Sequence, residues 1–190
     1  MDLDAICKNL PLSELLRDYS GNSGAWYWIG MAYWERRDWP NAAKWLEKTM
    51  NDSGNHGWQG KATLHLGLIY WKYSNRQQDA LRLFESIPSF ARARLNAGLM
   101  YFHGEGTSRD AVKGLRLVEE AIVVINDAQG NDSLFSPLEC LKMSEVFYEG
   151  GKREKAKEYL RKSIQRCDLA YESDREIKSM AENNLRLMGG

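Results

Sequence analysis

Cysteine, histidine and proline are scarce in this chain, at three, three and four of 190 residues. An excess of either charge is missing too, since 26 Lys and Arg balance 26 Asp and Glu. Each shortage narrows the reading. Cys7, Cys140 and Cys167 are odd in number, far apart and free of C-x-x-C spacing, so they read as reduced, mostly buried thiols rather than a disulfide framework. A net charge of zero argues against a strong electrostatic grip on nucleic acid, which needs a basic surplus to release counterions. No apolar run approaches the roughly 18–20 residues that cross a bilayer. The opening residues, Met1 to Lys8, lack the basic and long apolar regions of a secretory signal. The expected place is therefore the cytoplasm, of a bacterium, with no nucleic-acid partner and no membrane insertion. What is present is apolar: 43% of residues are hydrophobic, enough to build a core and to exclude wholesale disorder.

Lining the chain up against itself exposes a repeat. Ala25-Trp26-Tyr27-Trp28-Ile29-Gly30-Met31-Ala32-Tyr33 matches Ala62-Thr63-Leu64-His65-Leu66-Gly67-Leu68-Ile69-Tyr70. Both match Ala93-Arg94-Leu95-Asn96-Ala97-Gly98-Leu99-Met100-Tyr101. The glycines are 37 and then 31 residues apart, as helical repeats require. A weaker fourth copy runs from Cys140 to Phe147, with Ser144 in place of glycine. A second signature follows each copy: Ala42 with Trp45, Ala80 with Leu83, Gly114 with Leu117, and Ala156 with Tyr159. Small and large residues at i and i+3 share one helical face, so each copy reads as a second helix packed on the first. The small residues mark where two helix backbones come close.

Start signals agree with this division. Trp39-Pro40 opens the second helix of repeat one, where proline is tolerated in the first turn. Ser136-Pro137-Leu138-Glu139 reads as a capping box opening repeat four, and Ser173-Asp174-Arg175-Glu176 as another, opening a last helix to about Met188. Pro88 separates repeats two and three. The expected layout is one all-α domain over residues 1–190, with a capping helix within 1–22 (residues 3–17). Hairpin repeats follow at 23–56, 57–88, 89–125 and 136–166, and a capping helix at 173–188 closes the chain. Residues 126–135 break the period and read as an inserted loop, because Gly130, Asn131, Asp132 and Ser133 are turn formers.

Tyr101-Phe102-His103-Gly104-Glu105-Gly106-Thr107-Ser108-Arg109-Asp110-Ala111-Val112-Lys113-Gly114 resembles the Sel-like repeat of the tetratricopeptide superfamily, Y-x-x-G-x-G-V-x-x-D-x-x-K-A. Tyr101, Gly104, Gly106, Asp110 and Lys113 match it, while Thr107 and Gly114 depart from its valine and alanine. The other repeats lack the G-x-G turn and resemble plain tetratricopeptide units, so the likeness covers roughly residues 23–165. It implies a right-handed α-solenoid with a concave groove lined by the first helix of each hairpin. Carried over, the groove positions are Tyr27, Trp34 and Glu35, then Lys61, Trp71 and Lys72, then Arg92, Phe102 and His103, and finally Tyr148 and Glu149. The resemblance also implies a non-catalytic scaffold for another protein. Small bacterial Sel-like proteins include immunity proteins that neutralise a cognate toxin, which is the sharpest version of that reading. An adaptor or assembly chaperone for short peptides, and an unrecognised enzyme, remain alternatives.

All seven tryptophans fall in the first 71 residues. Trp26 and Trp45 occupy positions that pack inside their repeat. Trp34 and Trp71 directly follow repeat tyrosines and are expected to face the groove, as interface anchors do. Self-association through a tryptophan-rich face is a further possibility. Chemistry is harder to assemble. His56, His65 and His103 have no metal-site spacing, and His65 sits on a mostly apolar helix as a satisfied side chain. Gly104-Glu105-Gly106 follows no strand and reads as a tight turn rather than a phosphate loop. No cofactor, metal or catalytic residue is expected. The Lys152–Glu158 stretch alternates in sign and reads as a solvated face.

Overall fold

The computed structural model describes residues 3–54, 57–129 and 135–189. Every regular element among them is helical, as the repeat demands. The helices are α1 (Leu3–Cys7), α2 (Leu12–Tyr19), α3 (Trp26–Glu35), α4 (Trp39–Met50), α5 (Gln59–Lys72), α6 (Gln77–Ser86), α7 (Ala91–His103), α8 (Ala111–Gln129), α9 (Pro137–Glu149), α10 (Arg153–Arg166) and α11 (Glu172–Leu187). A 3-10 turn at Ser23–Ala25 leads into α3. The fold is an all-α solenoid of helical hairpins, divided into two compact units, residues 1–87 and 88–190. In the N-terminal unit α3 packs on α4 and α5 on α6, with α2 against α3. In the C-terminal unit α7 packs on α8 and α9 on α10, with α11 against α10 and α9.

One hydrogen bond explains the invariant aromatic position. In each repeat its carbonyl accepts from the backbone N–H that begins the second helix. Tyr33 accepts from Asp38 (3.1 Å), Tyr70 from Arg76 (3.0 Å), Tyr101 from Asp110 (2.8 Å) and Phe147 from Lys152 (2.8 Å). The bond satisfies a carbonyl that the helix end leaves open. To make so tight a return the turn needs a left-handed residue just before the bond. Arg37 (φ 58°), Asn75 (φ 50°) and Gly151 (φ 76°) supply it. Repeat three spans a longer turn, and Gly104 (φ 76°) and Gly106 (φ 71°) reverse the chain within it. Its other motif residues have jobs too. The Asp110 carboxylate accepts from the Lys113 N–H (2.9 Å), and the Lys113 ammonium lies 3.6 Å from the centre of the Tyr101 ring.

The repeat glycines sit where helices touch. A methyl group added at Gly98 would come 3.0 Å from the Gly114 carbonyl oxygen, and one at Gly114 would come 2.8 Å from that of Gly98. At Gly67 it would strike the Phe84 ring at 2.5 Å, and at Gly30 the Leu46 side chain at 3.0 Å. Ser144 is buried in the same role, its hydroxyl returned to the Leu141 carbonyl (2.6 Å). Between these contacts lie the fully buried Ile29, Leu46, Leu66, Phe84, Leu95, Leu99, Phe147 and Tyr159. Burying a large apolar side chain of this kind contributes about 1.5–3 kcal/mol.

Several boundaries differ from expectation. The N-terminal helix is two, α1 and α2, because Pro11 occupies the N-cap of α2 and removes the N–H that would carry a continuous helix past it. Residues 126–129, expected in a loop, continue α8. Phe135, the last residue of that stretch, is buried, and its carbonyl accepts from Arg166 (3.0 Å). The remainder of the stretch, 130–134, and His56 lie outside the described residues. The Ser136 capping box forms with both of its hydrogen bonds, 3.2 and 2.6 Å. The one expected at Ser173 does not: α11 starts at Glu172, and Asp174 instead accepts from the Asp168 N–H (2.8 Å).

Candidate functional site

The tryptophan-rich stretch folds into one connected group of rings inside the N-terminal unit. Tyr27 and Trp34 are two turns apart on α3 and so share a face. His65 of α5 lies between them, 5.9 Å from the Tyr27 ring and 5.3 Å from Trp34. Its Nδ1 is 2.8 Å from the Lys61 carbonyl, so the residue is satisfied locally. Trp58, which caps α5, stacks on Tyr27 at 4.6 Å and 8°. Trp28 meets both rings edge-on, at 5.3 and 5.0 Å. At the other end Trp34 meets Trp39 edge-on at 5.3 Å, and Trp39 stacks on Tyr73 at 4.0 Å and 7°. Offset-stacked and edge-on pairs like these add about 0.5–1.5 kcal/mol beyond area burial.

Charged groups hold the cluster at its edges. One oxygen of Asp4, on α1, accepts from the indole N–H of both Trp28 (3.0 Å) and Trp58 (2.9 Å). The Lys61 ammonium sits 4.4 Å from the Trp58 ring centre, and Lys48 sits 3.7 Å from that of Trp26. Trp26 and Trp45 are half-buried against the α1–α3 core, as expected of packing residues. Burial pushes the Tyr27 hydroxyl up to about 12. Tyr70 reaches about 12 through burial and its hydrogen bond to Glu47. Both phenols are therefore neutral donors over the physiological range.

The positions expected to line a groove fall into three groups. Tyr27, Trp71 and Phe102 are buried, at 6%, 8% and 2% exposure, and do not form an open surface. The register explains the last two: Trp71 and Phe102 stand four residues after Gly67 and Gly98, so each lies on the face that meets the second helix of its hairpin. Trp71 packs edge-on against Phe84 of α6, and Phe102 lies against Gly114 of α8. Trp34, four residues after Gly30, is half-buried. Glu35, Lys61, Lys72, Arg92, His103, Tyr148 and Glu149 are exposed. Two of these are tied up within the C-terminal unit: Arg92 lies 3.5 Å from Glu139, and Glu149 pairs with Arg109 at 3.0 Å. His103 stands edge-on to Phe102, and Tyr148 is 52% exposed.

Sequence reasoning missed Trp39, Trp58 and Tyr73 as members of the ring cluster. Tyr73, 50% exposed, is its outermost ring. The usable signal was positional: Trp39 and Tyr73 sit at the turn ends of neighbouring hairpins, which stacking brings together. Tyr27 and Glu35 also line a cleft of about 480 Å³ beneath the segment that joins α1 to α2.

No group of three or more His, Cys, Asp and Glu suited to a metal occurs among the described residues. Burial raises the thiols of Cys7, Cys140 and Cys167, so they are weak nucleophiles where they stand. No helix among the described residues is long and apolar enough to cross a membrane.

Comparison with known proteins agrees with the repeat. Residues 141–167, most of α9 and α10, match the family model of the tetratricopeptide repeat. Among solved structures, the chain is similar to a protective antigen present in uropathogenic Escherichia coli strains displaying an SLR fold, with a TM-score of 0.59 at 18% identity. The likeness covers 87% of this chain and 34% of that one, so this chain spans about a third of its length. No curated protein matches. The tetratricopeptide match inside the chain and the SLR-fold neighbour agree with a fold built from helical-hairpin repeats.

Proposed function

We propose that the protein is a non-catalytic binding module that grips another protein, chiefly through the aromatic surface of its N-terminal unit. The observation that carries this is the outer end of the ring cluster, where Trp34, Trp39 and Tyr73 are mutually packed yet only partly covered. Rings fixed in this way lose little conformational freedom on binding, and Trp and Tyr dominate interface hot spots. Exposed Glu35 and Lys72, chain neighbours of Trp34 and Tyr73, add charge of both signs there, and exposed Lys61 lies against Trp58 at the cluster's other end. Exposed Arg92, His103, Tyr148 and Glu149 offer secondary, more polar contacts on the C-terminal unit.

The sharper reading is a bacterial cytoplasmic inhibitor, an immunity protein that neutralises one toxin or effector. An adaptor or chaperone reading short peptides is the second reading, favoured by the turn-end position of the rings. Native co-purification of the tagged full chain from its own cells, with mass spectrometry, separates them. One stoichiometric partner supports the inhibitor, and many substoichiometric ones support the adaptor. A self-associating chain with no other partner would overturn both. Trp34→Ala should weaken the complex about tenfold or more. Trp71→Ala does not test an interface, because Trp71 is buried.

A further inference from the structure

The cleft beside α3 offers a recognition chemistry of its own. One side of it is apolar, where Leu12 and Leu15 of α2 face Trp28, Met31 and Ala32 of α3, and polar side chains such as Lys8, Asn9, Glu35 and Arg36 line the rest. Its size suits one large side chain or a short extended segment. Tyr27 lines it, 94% buried by its 6% exposure, and the hydroxyl has no hydrogen-bond partner among the described residues. The ring is fixed by Trp58 on its face and by Trp28 and His65 at its edges, so the hydroxyl is held in place without a partner. A buried donor left unmade costs free energy that a ligand oxygen would recover.

Charge at the cleft is unequal. Lys8 and Arg36 line it as cations, and Glu35 is the single carboxylate among the lining residues. Lys8 has no ion-pair partner among the described residues, and Arg36 is bonded only to the Ala32 carbonyl, at 2.7 Å. The cleft therefore combines an apolar side, a buried tyrosine whose hydroxyl has no partner among the described residues, and one net positive charge.

We infer that this cleft receives an apolar side chain of the partner protein, that a backbone carbonyl of the same segment accepts the Tyr27 hydroxyl hydrogen bond, and that a neighbouring Asp or Glu of the partner meets Lys8 and Arg36. The inference rests on the protein-binding reading and assigns the partner segment its chemistry. It also gives the N-terminal segment a task beyond capping, because residues 7–15 form one wall.

A random-peptide display library selected on the immobilised full chain tests it. The enriched peptides should carry a large apolar residue beside Asp or Glu. Their affinity should fall about three- to tenfold with Tyr27→Phe, the range of one lost hydrogen bond. It should fall roughly tenfold or more with Lys8→Glu and Arg36→Glu together. Tyr27→Phe should not lower the melting temperature and should raise it slightly, since the hydroxyl has no partner to lose and its burial is unfavourable, so weaker binding there is not misfolding. Enriched peptides that bind both variants as well as the wild type would overturn the cleft assignment and leave the protein-binding reading standing. A library that yields no binders would overturn it as well. The protein-binding reading itself is judged separately, by native co-purification.

Discussion

The two compact units build the same hairpin repeat from different materials. The N-terminal unit contains every tryptophan and fills its space with rings, which it steadies with cations and the Asp4 carboxylate. The C-terminal unit brings backbones together at Gly98 and Gly114 and ties its helices with ion pairs. There Glu119 of α8 meets Lys152 (2.6 Å) and Lys155 (3.2 Å), and Arg94 of α7 meets Glu120 of α8 (2.6 Å). The turns differ likewise: Arg37 and Asn75 carry positive φ in the first unit, glycines in the second. A repeat thus fixes where helices cross and leaves open what fills the crossing. Ring packing leaves Trp34, Trp39 and Tyr73 partly uncovered side by side, whereas the C-terminal unit exposes apolar side chains such as Val112, Tyr148, Tyr171 and Leu187 outside any ring cluster.

The comparison breaks most easily at the glycines. Gly114→Ala places a methyl group 2.8 Å from the backbone of α7, which cannot yield without parting the helices. We expect a loss of about 2–3 kcal/mol in urea unfolding. Gly67→Ala meets only the Phe84 ring, which can tilt, and should cost about 1–2 kcal/mol. The opposite order would mean that rings are the stiffer material. Asp4→Ala leaves two indole donors without their shared acceptor and should cost about 1–2 kcal/mol, with a red-shifted tryptophan emission as Trp28 and Trp58 gain water. An unchanged spectrum would show that α1 does not hold the ring cluster.

Smaller effects sharpen the contrast. Hydrogen bonding from Lys152, supported by Lys155 against some burial, holds the Glu119 carboxyl below its ordinary 4.5. A lowered carboxylate stabilises the fold above its unfolded pKa, and that contribution is lost as pH falls through the folded value. Glu119→Gln should therefore lose at most about 1 kcal/mol near neutrality, less in high salt, and nothing in acid below both values. A loss that persists there would point to packing instead. Arg37→Gly removes the left-handed strain of a side-chain-bearing residue and should gain about 0.5 kcal/mol. Gly151→Ala, at the matching turn position of the C-terminal unit, should lose a similar amount.

Much of this architecture was legible in the sequence because it is periodic. The A-x-x-x-[apolar]-G-x-x-Y pattern encodes both the glycine crossing and the aromatic residue whose carbonyl closes the turn, and the Ser136 capping box marks its helix start directly. The surface was less legible. Placing Trp71 and Phe102 in a groove followed their position after the repeat tyrosine, whereas their i+4 relation to Gly67 and Gly98 turns them inward. Pairings between residues far apart in the chain, such as Asp4 with Trp58 or Trp39 with Tyr73, leave no local pattern to read. Helix ends were blurred at Ser173, where the helix already begins at Glu172 and Asp174 turns back to the Asp168 N–H, and at 126–129, which stay helical despite turn-forming residues beyond them.

We propose that the aromatic surface of the N-terminal unit carries partner binding. The most direct measurement is calorimetric titration of the co-purified partner into the full chain and two of its variants. One variant is Trp34→Ala with Tyr73→Ala, and the other is His103→Ala with Tyr148→Ala. The first should weaken binding about tenfold or more, and the second should change it by less than about threefold. Equal affinity for wild type and the first variant, or a larger loss in the second, would contradict it.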